Sequence, residues 1–592
     1  MLCILLILAA IPSSLVAGAS ADEPSRITSP ETLWEGFDPE AQPLEVESLR
    51  AWDEGTGAYE TLRFTGESMG DAKVRVFAIQ GAPRDARNCP GVLHIHGGGQ
   101  TAALSWVQFW VQRGYACVSF DFCGELPGRT EFTDWGPIKH GNMMQAAGGF
   151  QLRPTARESS WYHWALVSRR ALTLLARHPQ VDPERLGIFG ISVGGSLTWM
   201  VAGFDRRVKA AVPIYGCGYN YDRGNARWGY PAPSDDLREF QRVLSPEAHA
   251  PFVTAPTLFL DATNDFHGFI DRAFETIDAV PAETRQAFTP RYNHHIHPDQ
   301  GRNLPLWMDW HLNGGAPLPG NPRLTIELDD GIPAASIRPA EPDSVRSVDV
   351  FYALGDKRPP IRFWRSAPAV KAEGIWRASL PVVDSWDNLQ AFANVTYESG
   401  ACLSTRLKTV IPAQLGKARG TLAPTARLAH DETGMGHWYF TNGYTDPNID
   451  KTYLVSGEDS LVGPFVTFNL ETFGDPIEVR ISSHLIGDPQ FVAPDDAPLH
   501  VQSGGSFLDG NYRITLIVDD WGPWPLKYSA TVEQTDPAWK ETALPRSRFV
   551  DADGHSLEHW KGIDKIEIEG RGKRADPPKF ATFRWQSEPN GD

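Results

Sequence analysis

Residues 185–200 read Arg185-Leu-Gly-Ile-Phe-Gly-Ile-Ser192-Val-Gly-Gly-Ser-Leu-Thr-Trp-Met200. The apolar residues before Ser192 are typical of a buried strand and those after it of a helix start, so the pattern predicts a strand, a tight turn and a helix. Glycine at positions 190 and 194 removes the Cβ atoms that would clash in such a turn. The turn would hold the serine hydroxyl clear of the C-terminal edge of a sheet. Because a G-x-S-x-G match alone is weak evidence, the surrounding chain has to supply the rest of a site.

The chain around this turn predicts an α/β unit over residues 22–312. Short apolar runs alternate there with longer helical patterns, which is typical of a mostly parallel sheet flanked by helices. The stretch 124–159 is rich in Gly, Pro and Thr, and it predicts an excursion over the rim of the sheet, where a substrate mouth would lie. Eight strands are predicted, at residues 59–65, 74–80, 91–96, 116–122, 186–191, 210–215, 257–262 and 285–290.

Two all-β domains are predicted after this unit. With 592 residues the chain is too long for a single core. The Gly/Pro-rich segment 313–322 is a linker, and the apolar period then changes to two, which predicts a β-sandwich domain over 323–412 with one strand at 361–365. A second break leads to a C-terminal all-β domain over 425–592, which is a candidate carbohydrate-binding domain.

Composition excludes several classes of protein. An apolar fraction of 41% excludes a disordered chain. With 55 Lys and Arg against 73 Asp and Glu, the net charge of −18 offers no basic field for nucleic acid. No stretch reaches the roughly 18 apolar residues of a membrane span. A neutral substrate is favoured.

The N-terminus predicts export. Residues 2–10 are apolar, Pro12 ends the run, and small residues precede Asp22, so residues 1–21 are predicted to be a signal peptide and the protein to be secreted or periplasmic. Removal of Cys3 leaves an odd number of cysteines, which excludes a disulfide scaffold. Cys117 and Cys123 flank a strand and lie too far apart to pair with each other.

A serine nucleophile needs a base in contact with it and a third group that orients the base. Asp265 follows the strand at 257–262 and is the candidate acid, with Asp261 and Asp271 as alternatives. The candidate base is His294, the first histidine after the next strand. His295 and His297 remain alternatives for that role.

An oxyanion also needs a pair of amides. One candidate is the N–H of Val193, and the other is the N–H of Gly97 or Gly98 in the segment His96-Gly-Gly-Gly99, which directly follows the strand at 91–96. His96 is expected to brace this loop. The order of the four features along the chain is that of a serine hydrolase.

A metal site is a weaker alternative. His267, His294, His295 and His297 could form a ligand set, but their spacing matches no helical metal motif, and a nucleophile already accounts for one histidine. No metal and no organic cofactor is expected.

With these motifs in place, residues 30–312 resemble the α/β-hydrolase family. Four segments look like dienelactone-hydrolase and acetyl-xylan-esterase-type bacterial enzymes: His-Ile-His-Gly-Gly-Gly-Gln-Thr-Ala (94–102), Gly-Ile-Ser-Val-Gly-Gly (190–195), Thr-Asn-Asp-Phe-His-Gly (263–268) and Tyr-Asn-His-His (292–295). The resemblance implies a secreted serine carboxylic-ester hydrolase that deacylates, and specifically deacetylates, a carbohydrate ester or another small ester.

Two other functions stay open. The first is a serine peptidase of the prolyl-oligopeptidase type, although in that family a long propeller precedes the hydrolase unit. The second is a non-catalytic carbohydrate-binding or surface protein. Trp438, Trp521, Trp524 and Trp560 could stack on sugar rings, or they could be core and loop-pinning residues of a sandwich.

Overall fold

A computed structural model describes residues 27–145, 152–219, 234–428, 438–440, 452–522 and 524–586. The signal peptide predicted at residues 1–21 lies outside this part of the chain. None of the helices in the described part has the length and apolar character needed to cross a membrane.

A nine-stranded sheet organises the first unit, in the order β1-β2-β3-β5-β4-β6-β7-β8-β9. Its strands are β1 (Glu47–Glu54), β2 (Gly57–Met69), β3 (Ala72–Pro83), β4 (Cys89–Ile95), β5 (Ala116–Phe120), β6 (Val181–Ile191), β7 (Val208–Ile214), β8 (Thr257–Ala262) and β9 (Thr284–Thr289). The first three strands pair antiparallel, and β4 to β9 run parallel to one another. This topology confirms the predicted α/β-hydrolase fold.

Helices cover both faces of this sheet. They are α1 (Pro30–Trp34), α2 (Leu104–Val111), α3 (Ser160–Ala176), α4 (Val193–Phe204), α5 (Asp235–Val243), α6 (Pro246–His249), α7 (Ile270–Ala279), α8 (Pro298–Gly301) and α9 (Asn303–Asn313). The apolar side chains of α3, α4 and α7 join one core, and those of α2 and α9 join the core on the other face. Strands β4, β5 and β8 are thus buried along their whole length, which explains why their sequences are mostly apolar.

The predicted count of eight strands is wrong by one. The additional strand β1 lies at the edge of the sheet and is exposed along almost its whole length. It therefore carries no apolar alternation that a sequence pattern could reveal. Its partner β2 is the first of the eight predicted strands.

The parallel strands place the predicted site residues at one edge of the sheet. Gly97 follows β4, Ser192 follows β6, Asp265 follows β8 and His294 follows β9. Parallel strands have their C-terminal ends on the same side, so these segments converge although they are nearly 200 residues apart in the chain.

The middle unit consists of two antiparallel sheets. Its strands are β10 (Arg323–Asp329), β11 (Ile332–Arg338), β12 (Val345–Leu354), β13 (Arg365–Ala367), β14 (Val370–Ala372), β15 (Ile375–Ser379), β16 (Leu389–Tyr397), β17 (Cys402–Ser404) and β18 (Lys408–Val410), and α10 (Pro412–Leu415) follows. The strand predicted at 361–365 is wrong: a short 3-10 turn spans Pro359–Ile361, and β13 begins only at Arg365. Pro359 and Pro360 lack the backbone N–H that a ladder needs.

This middle unit covers the β9 edge of the large sheet. The Phe288 N–H donates to Ser404 Oγ at 2.7 Å, and its carbonyl accepts from Asn394 Nδ2 at 3.1 Å. Gln286 Nε2 donates to the Ser404 carbonyl at 3.0 Å. Side chains of the second unit thus satisfy polar groups of an edge strand that would otherwise be open to pairing with another chain.

The last unit is also all-β and antiparallel. Its strands are β19 (Arg427–Leu428), β20 (Tyr439–Phe440), β21 (Leu454–Asp459), β22 (Gly463–Phe468), β23 (Ile477–Ser483), β24 (Leu499–Gly504), β25 (Phe507–Val518), β26 (Leu526–Glu533), β27 (Lys540–Leu544), β28 (Ile563–Gly572) and β29 (Lys579–Trp585). They form two sheets around a separate apolar core. The prediction of β domains after the α/β unit is confirmed.

The cysteines of the described chain are unpaired. Cys89, Cys117, Cys123, Cys217 and Cys402 are all free and buried. The prediction that Cys117 and Cys123 do not pair with each other is confirmed. Burial raises the pKa of the Cys402 thiol to about 11, so this group stays protonated and behaves as a small apolar side chain.

Candidate active site

Ser192 sits in a strained turn between β6 and α4. Its backbone has φ of 62° and ψ of −118°, and its N–H donates to the Ile214 carbonyl at 2.9 Å. A Cβ on Gly190 would lie 2.1 Å from the Gly194 carbonyl oxygen, and a Cβ on Gly194 would lie 2.1 Å from the Ile95 carbonyl oxygen. Both positions therefore require glycine, and the sharpness of the turn is set by this close packing of backbone on backbone.

We expect Gly194→Ala to destabilise the first unit. The new methyl group would collide with backbone atoms of β4 that cannot move aside, which costs roughly 1–3 kcal/mol and lowers the unfolding temperature by roughly 2–10 °C. Scanning calorimetry measures the change. Gly474→Ala is the matched control, because nothing lies within 4 Å of its Cβ position. Equal unfolding temperatures for the two variants would contradict the packing described for this turn.

His294 and Asp265 form a hydrogen-bonded pair. The Nδ1 atom of His294 lies 2.9 Å from Asp265 Oδ2 and 3.1 Å from Oδ1. Asp265 is fully buried and also accepts the His267 N–H at 2.5 Å. The His294 ring stacks on Tyr215, with centroids 4.2 Å apart. The loops after β8 and β9 thus hold an imidazole against a buried carboxylate.

The alternative acids are placed differently. Asp261 is buried at the end of β8, where Oδ1 accepts the Ala262 N–H at 2.7 Å. Burial, together with the charge of the adjacent Asp265, raises the pKa of Asp261 well above its usual value, which favours the neutral acid. Asp271 pairs with Arg362 through two bonds of 3.0 and 2.9 Å. Of the three, only Asp265 carries the contact to His294.

The alternative bases make other contacts, although His295 also lines the cavity that contains Ser192 and His294. His295 is exposed and stacks on Tyr292 with centroids 5.6 Å apart. His297 caps α8 by accepting the Asp299 N–H at Nδ1, over 3.3 Å. Among the described residues, the four histidines of the alternative metal set do not form a group of ligand atoms within reach of one ion.

The two candidate glycines after β4 differ in the hydrogen bonding of their backbone N–H groups. The N–H of Gly97 donates to Gln100 Oε1 at 3.0 Å. The N–H of Gly98 has no acceptor in the described part of the chain. Val193 is the first residue of α4, where the helix leaves its N–H groups unpaired and the helix dipole favours negative charge. The N–H of Gly98 is therefore available where that of Gly97 is already bonded, and the N–H of Val193 lies at a helix N-terminus.

A buried polar cluster braces this loop. His96 stacks on Phe122 with centroids 4.3 Å apart, and its Nδ1 lies 2.7 Å from the Gly97 carbonyl. Arg129 donates to the Gly99 carbonyl at 2.7 Å and lies 3.5 Å from the buried carboxylate of Asp121. The excursion after β5 thus supports the oxyanion loop from outside. The roles of Gln100 and Arg129 could not be predicted from the sequence, because they depend on contacts that form only in the folded loop.

One cavity gathers these groups. It has a volume of about 600 Å³ and is lined by Gly97, Gly98, Ser192, Val193, His294 and, among apolar residues, Met143 and Phe266. Each predicted site residue except the buried Asp265 faces this space. A small acyl group next to a larger neutral group would fit a chamber of this size.

Residues 31–251 match the family model of acetyl xylan esterase (AXE1). The matched segment contains the Ser192 turn and the glycine loop, and it ends before Asp265 and His294. It spans less than half of the chain. The two β units thus lie outside the family match.

Individual relatives are similar over less than half of the chain. "Putative hydrolase YtaP" of Bacillus subtilis is 25% identical over 242 residues, which are 36% of this chain and 75% of that protein. "Uncharacterized peptidase YuxL" of the same organism is 26% identical over 255 residues, 38% of this chain and 35% of that protein. Acetyl xylan esterase 1 from Thermoanaerobacterium sp. is 19% identical with a TM-score of 0.37, and the match covers 45% of this chain and 87% of that structure. The predicted resemblance to this group of hydrolases is confirmed by the family match.

Proposed function

We propose that this carboxylic-ester hydrolase removes acetyl groups from a carbohydrate ester, with Ser192, His294 and Asp265 as its catalytic triad. The observation that carries the proposal is the cavity of about 600 Å³, which Ser192, His294, Gly98 and Val193 line together. A nucleophile, a base with its orienting carboxylate and two amides at a helix start are the groups that acyl transfer needs.

Acylation begins at Ser192. Its Oγ forms a bond to the ester carbonyl carbon while the proton passes to Nε2 of His294. The carboxylate of Asp265 holds Nδ1–H, which fixes the tautomer and stabilises the imidazolium as it forms. When the tetrahedral intermediate collapses, the ester C–O bond breaks and the imidazolium gives its proton to the leaving sugar alkoxide. The acyl group is now an ester of Ser192.

The oxyanion is stabilised at the glycine loop. The N–H groups of Gly98 and Val193 donate to the negative oxygen. The N–H of Gly97 is already bonded to Gln100, and this bond positions the loop. Water then repeats the sequence: His294 takes a proton from it, the hydroxide attacks the acyl carbon, and Ser192 leaves with the proton returned by His294. Acetic acid is the second product.

The substrate class rests on three properties of the chain. The net charge of −18 favours a neutral substrate over a polyanion. The match to the acetyl xylan esterase family supports an acetylated sugar. The apolar N-terminus supports export, and we include in the proposal that the enzyme acts outside the cytoplasm, where polysaccharides are met.

The test is acetate release from acetylated xylan and from other acetylated plant and algal polysaccharides, measured by an enzyme-coupled acetate assay. We expect release from at least one of them, and no release by the Ser192→Ala variant. Hydrolysis of peptide amides, with no acetate release from any of the acetylated polysaccharides, would contradict the proposal. That result would favour the alternative of a serine peptidase, the class named for the similar protein YuxL.

A further inference from the structure

A loop of the last β unit reaches the active site. Trp521, in the turn after β25, stacks on Phe266 with ring centroids 5.5 Å apart and an interplanar angle of 12°. Phe266 lines the catalytic cavity, and its centroid lies 4.7 Å from that of His294. Trp521 of the last unit therefore packs against a residue of the cavity wall, whose described lining residues come from the first unit.

The loop holds a conformation that costs free energy. Asp519 and Trp521 have φ of 56° and 59°, which is the left-handed region, and a bulky side chain rarely adopts it. Such strain persists only where the surroundings determine it, and it is concentrated at functional sites. The backbone conformation that places Trp521 on Phe266 is thus imposed by the surrounding structure, because tryptophan does not favour this φ by itself.

Hydrogen bonds and ion pairs hold the loop in place. Arg358 of the middle unit donates to the Asp520 carbonyl at 3.1 Å and pairs with the carboxylate of Asp519. The Asp520 N–H donates to Asp564 Oδ2 at 3.2 Å, and the Asp520 carboxylate pairs with His484 Nε2 at 2.9 Å. Burial alone would raise the pKa of Asp520, but the bond to His484 holds it below its usual value. The carboxylate is therefore ionised and its pairing is maintained.

The same segment of the middle unit is fastened to the loop of the triad acid. Asn264, next to Asp265, donates to the Arg362 carbonyl at 2.7 Å. Arg362 in turn donates to the Lys357 carbonyl at 2.9 Å, and Lys357 pairs with Asp564 at 2.6 Å. Residues 357–362 thus link the Asp265 loop to the Trp521 loop. The last unit is attached at the active site.

Trp524 lies three residues further along this loop and is 82% exposed. Three residues of chain span at most about 11 Å, so the backbone of Trp524 lies within that distance of the Trp521 backbone. Trp438 and Trp560, by contrast, are 1% and 3% exposed and belong to the core of the last unit. An exposed indole offers a flat apolar face that a ligand can cover. The apolar C–H face of a neutral sugar ring is suited to cover it.

We propose that Trp521 and Trp524 form an aromatic subsite for a sugar ring of the carbohydrate ester, adjoining the catalytic cavity. This inference rests on the proposed function. The subsite would bind a sugar ring of the substrate that extends beyond the catalytic cavity. Trp521 fixes the loop against Phe266, and Trp524 supplies the stacking face. The last β unit is then a part of the active site that selects oligomeric or polymeric substrates over small esters.

The test measures binding without turnover. The full chain carrying Ser192→Ala is titrated with acetylated xylo-oligosaccharides by calorimetry, with and without Trp524→Ala. We expect Trp524→Ala to raise the Kd about tenfold and Trp524→Phe to restore most of the affinity, because the phenyl ring keeps a stacking face. Trp386→Ala, which removes a tryptophan of the middle unit that is 71% exposed, is the matched control and leaves the Kd within twofold.

Separate outcomes decide the two proposals. An unchanged Kd in Trp524→Ala, or no binding by the Ser192→Ala chain, would overturn the subsite. Absence of acetate release by the wild-type enzyme alongside a Kd that depends on Trp524 would overturn the proposed function and retain the subsite. In the wild-type background, Trp524→Ala should lower kcat/KM for the oligosaccharide about tenfold more than for 4-nitrophenyl acetate, chiefly through KM.

Discussion

We expect Ser192→Ala to lower kcat for 4-nitrophenyl acetate by at least about 10⁴-fold, because Ser192 is the one described lining residue of the cavity with an aliphatic hydroxyl that can form the acyl intermediate. Ser192 has the strained φ of 62°, and it lines the cavity together with His294. Alanine retains the Cβ atom, so it neither adds to nor relieves the strain of the turn. Stopped-flow or steady-state assays measure the loss.

The control for this variant is its stability. Since Ser192 donates its backbone N–H to Ile214 and the alanine variant keeps that bond, the unfolding temperature should stay within a few degrees of wild type. Activity within tenfold of wild type in a properly folded Ser192→Ala protein would contradict the role given to this hydroxyl.

The second large effect concerns the two buried carboxyl groups after β8. We expect Asp265→Asn to lower kcat by about 10³- to 10⁴-fold. The carboxylate accepts from Nδ1 of His294 at 2.9 Å, whereas an amide can offer its NH₂ group there and hold the imidazole in the wrong tautomer. Substrate binding outside the triad is untouched, so KM should change far less than kcat.

Asp261→Asn is the matched control for Asp265→Asn. Burial and the charge of Asp265 raise the pKa of Asp261 well above its usual value, which favours the neutral acid, and an amide of the same size is likewise uncharged. We expect kcat to change by no more than a few fold. Comparable losses in the two variants would show that the carboxyl groups act as a unit and would contradict the assignment of the orienting role to Asp265.

Much of the fold could be predicted because its signals are local. The strand predicted at 257–262 coincides with β8, and the glycines around Ser192 mark a turn that few other sequences would form. The order of the site residues along the chain could be predicted as well, since Gly97, Asp265 and His294 each lie in the loop that follows a strand. Convergence at one edge then follows from parallel pairing and needs no further information.

What could not be predicted depends on tertiary contacts. Strand β1 is exposed, so burial leaves no pattern in its sequence. Gln100 and Gly97 are close in the chain, yet only the loop geometry shows that the Gly97 N–H is taken and the Gly98 N–H is left for an oxyanion.

The tryptophans of the last unit make the same point. Trp560 is buried in the core of the last unit, whereas Trp524 is exposed, although both are tryptophans near turn residues. Burial of an aromatic ring is decided by the sheets that pack around it. A pattern in one stretch of sequence does not contain that information.

The most direct test of the account is covalent labelling with a fluorophosphonate, which reacts with a serine only when a neighbouring base activates it. After tryptic digestion, we expect the adduct in the peptide comprising residues 186–206, with fragmentation placing it on Ser192 and not on Ser196. The Asp265→Asn protein should label far more slowly. An unlabelled wild-type protein, or an adduct on any other serine, would contradict the claim that His294 activates Ser192.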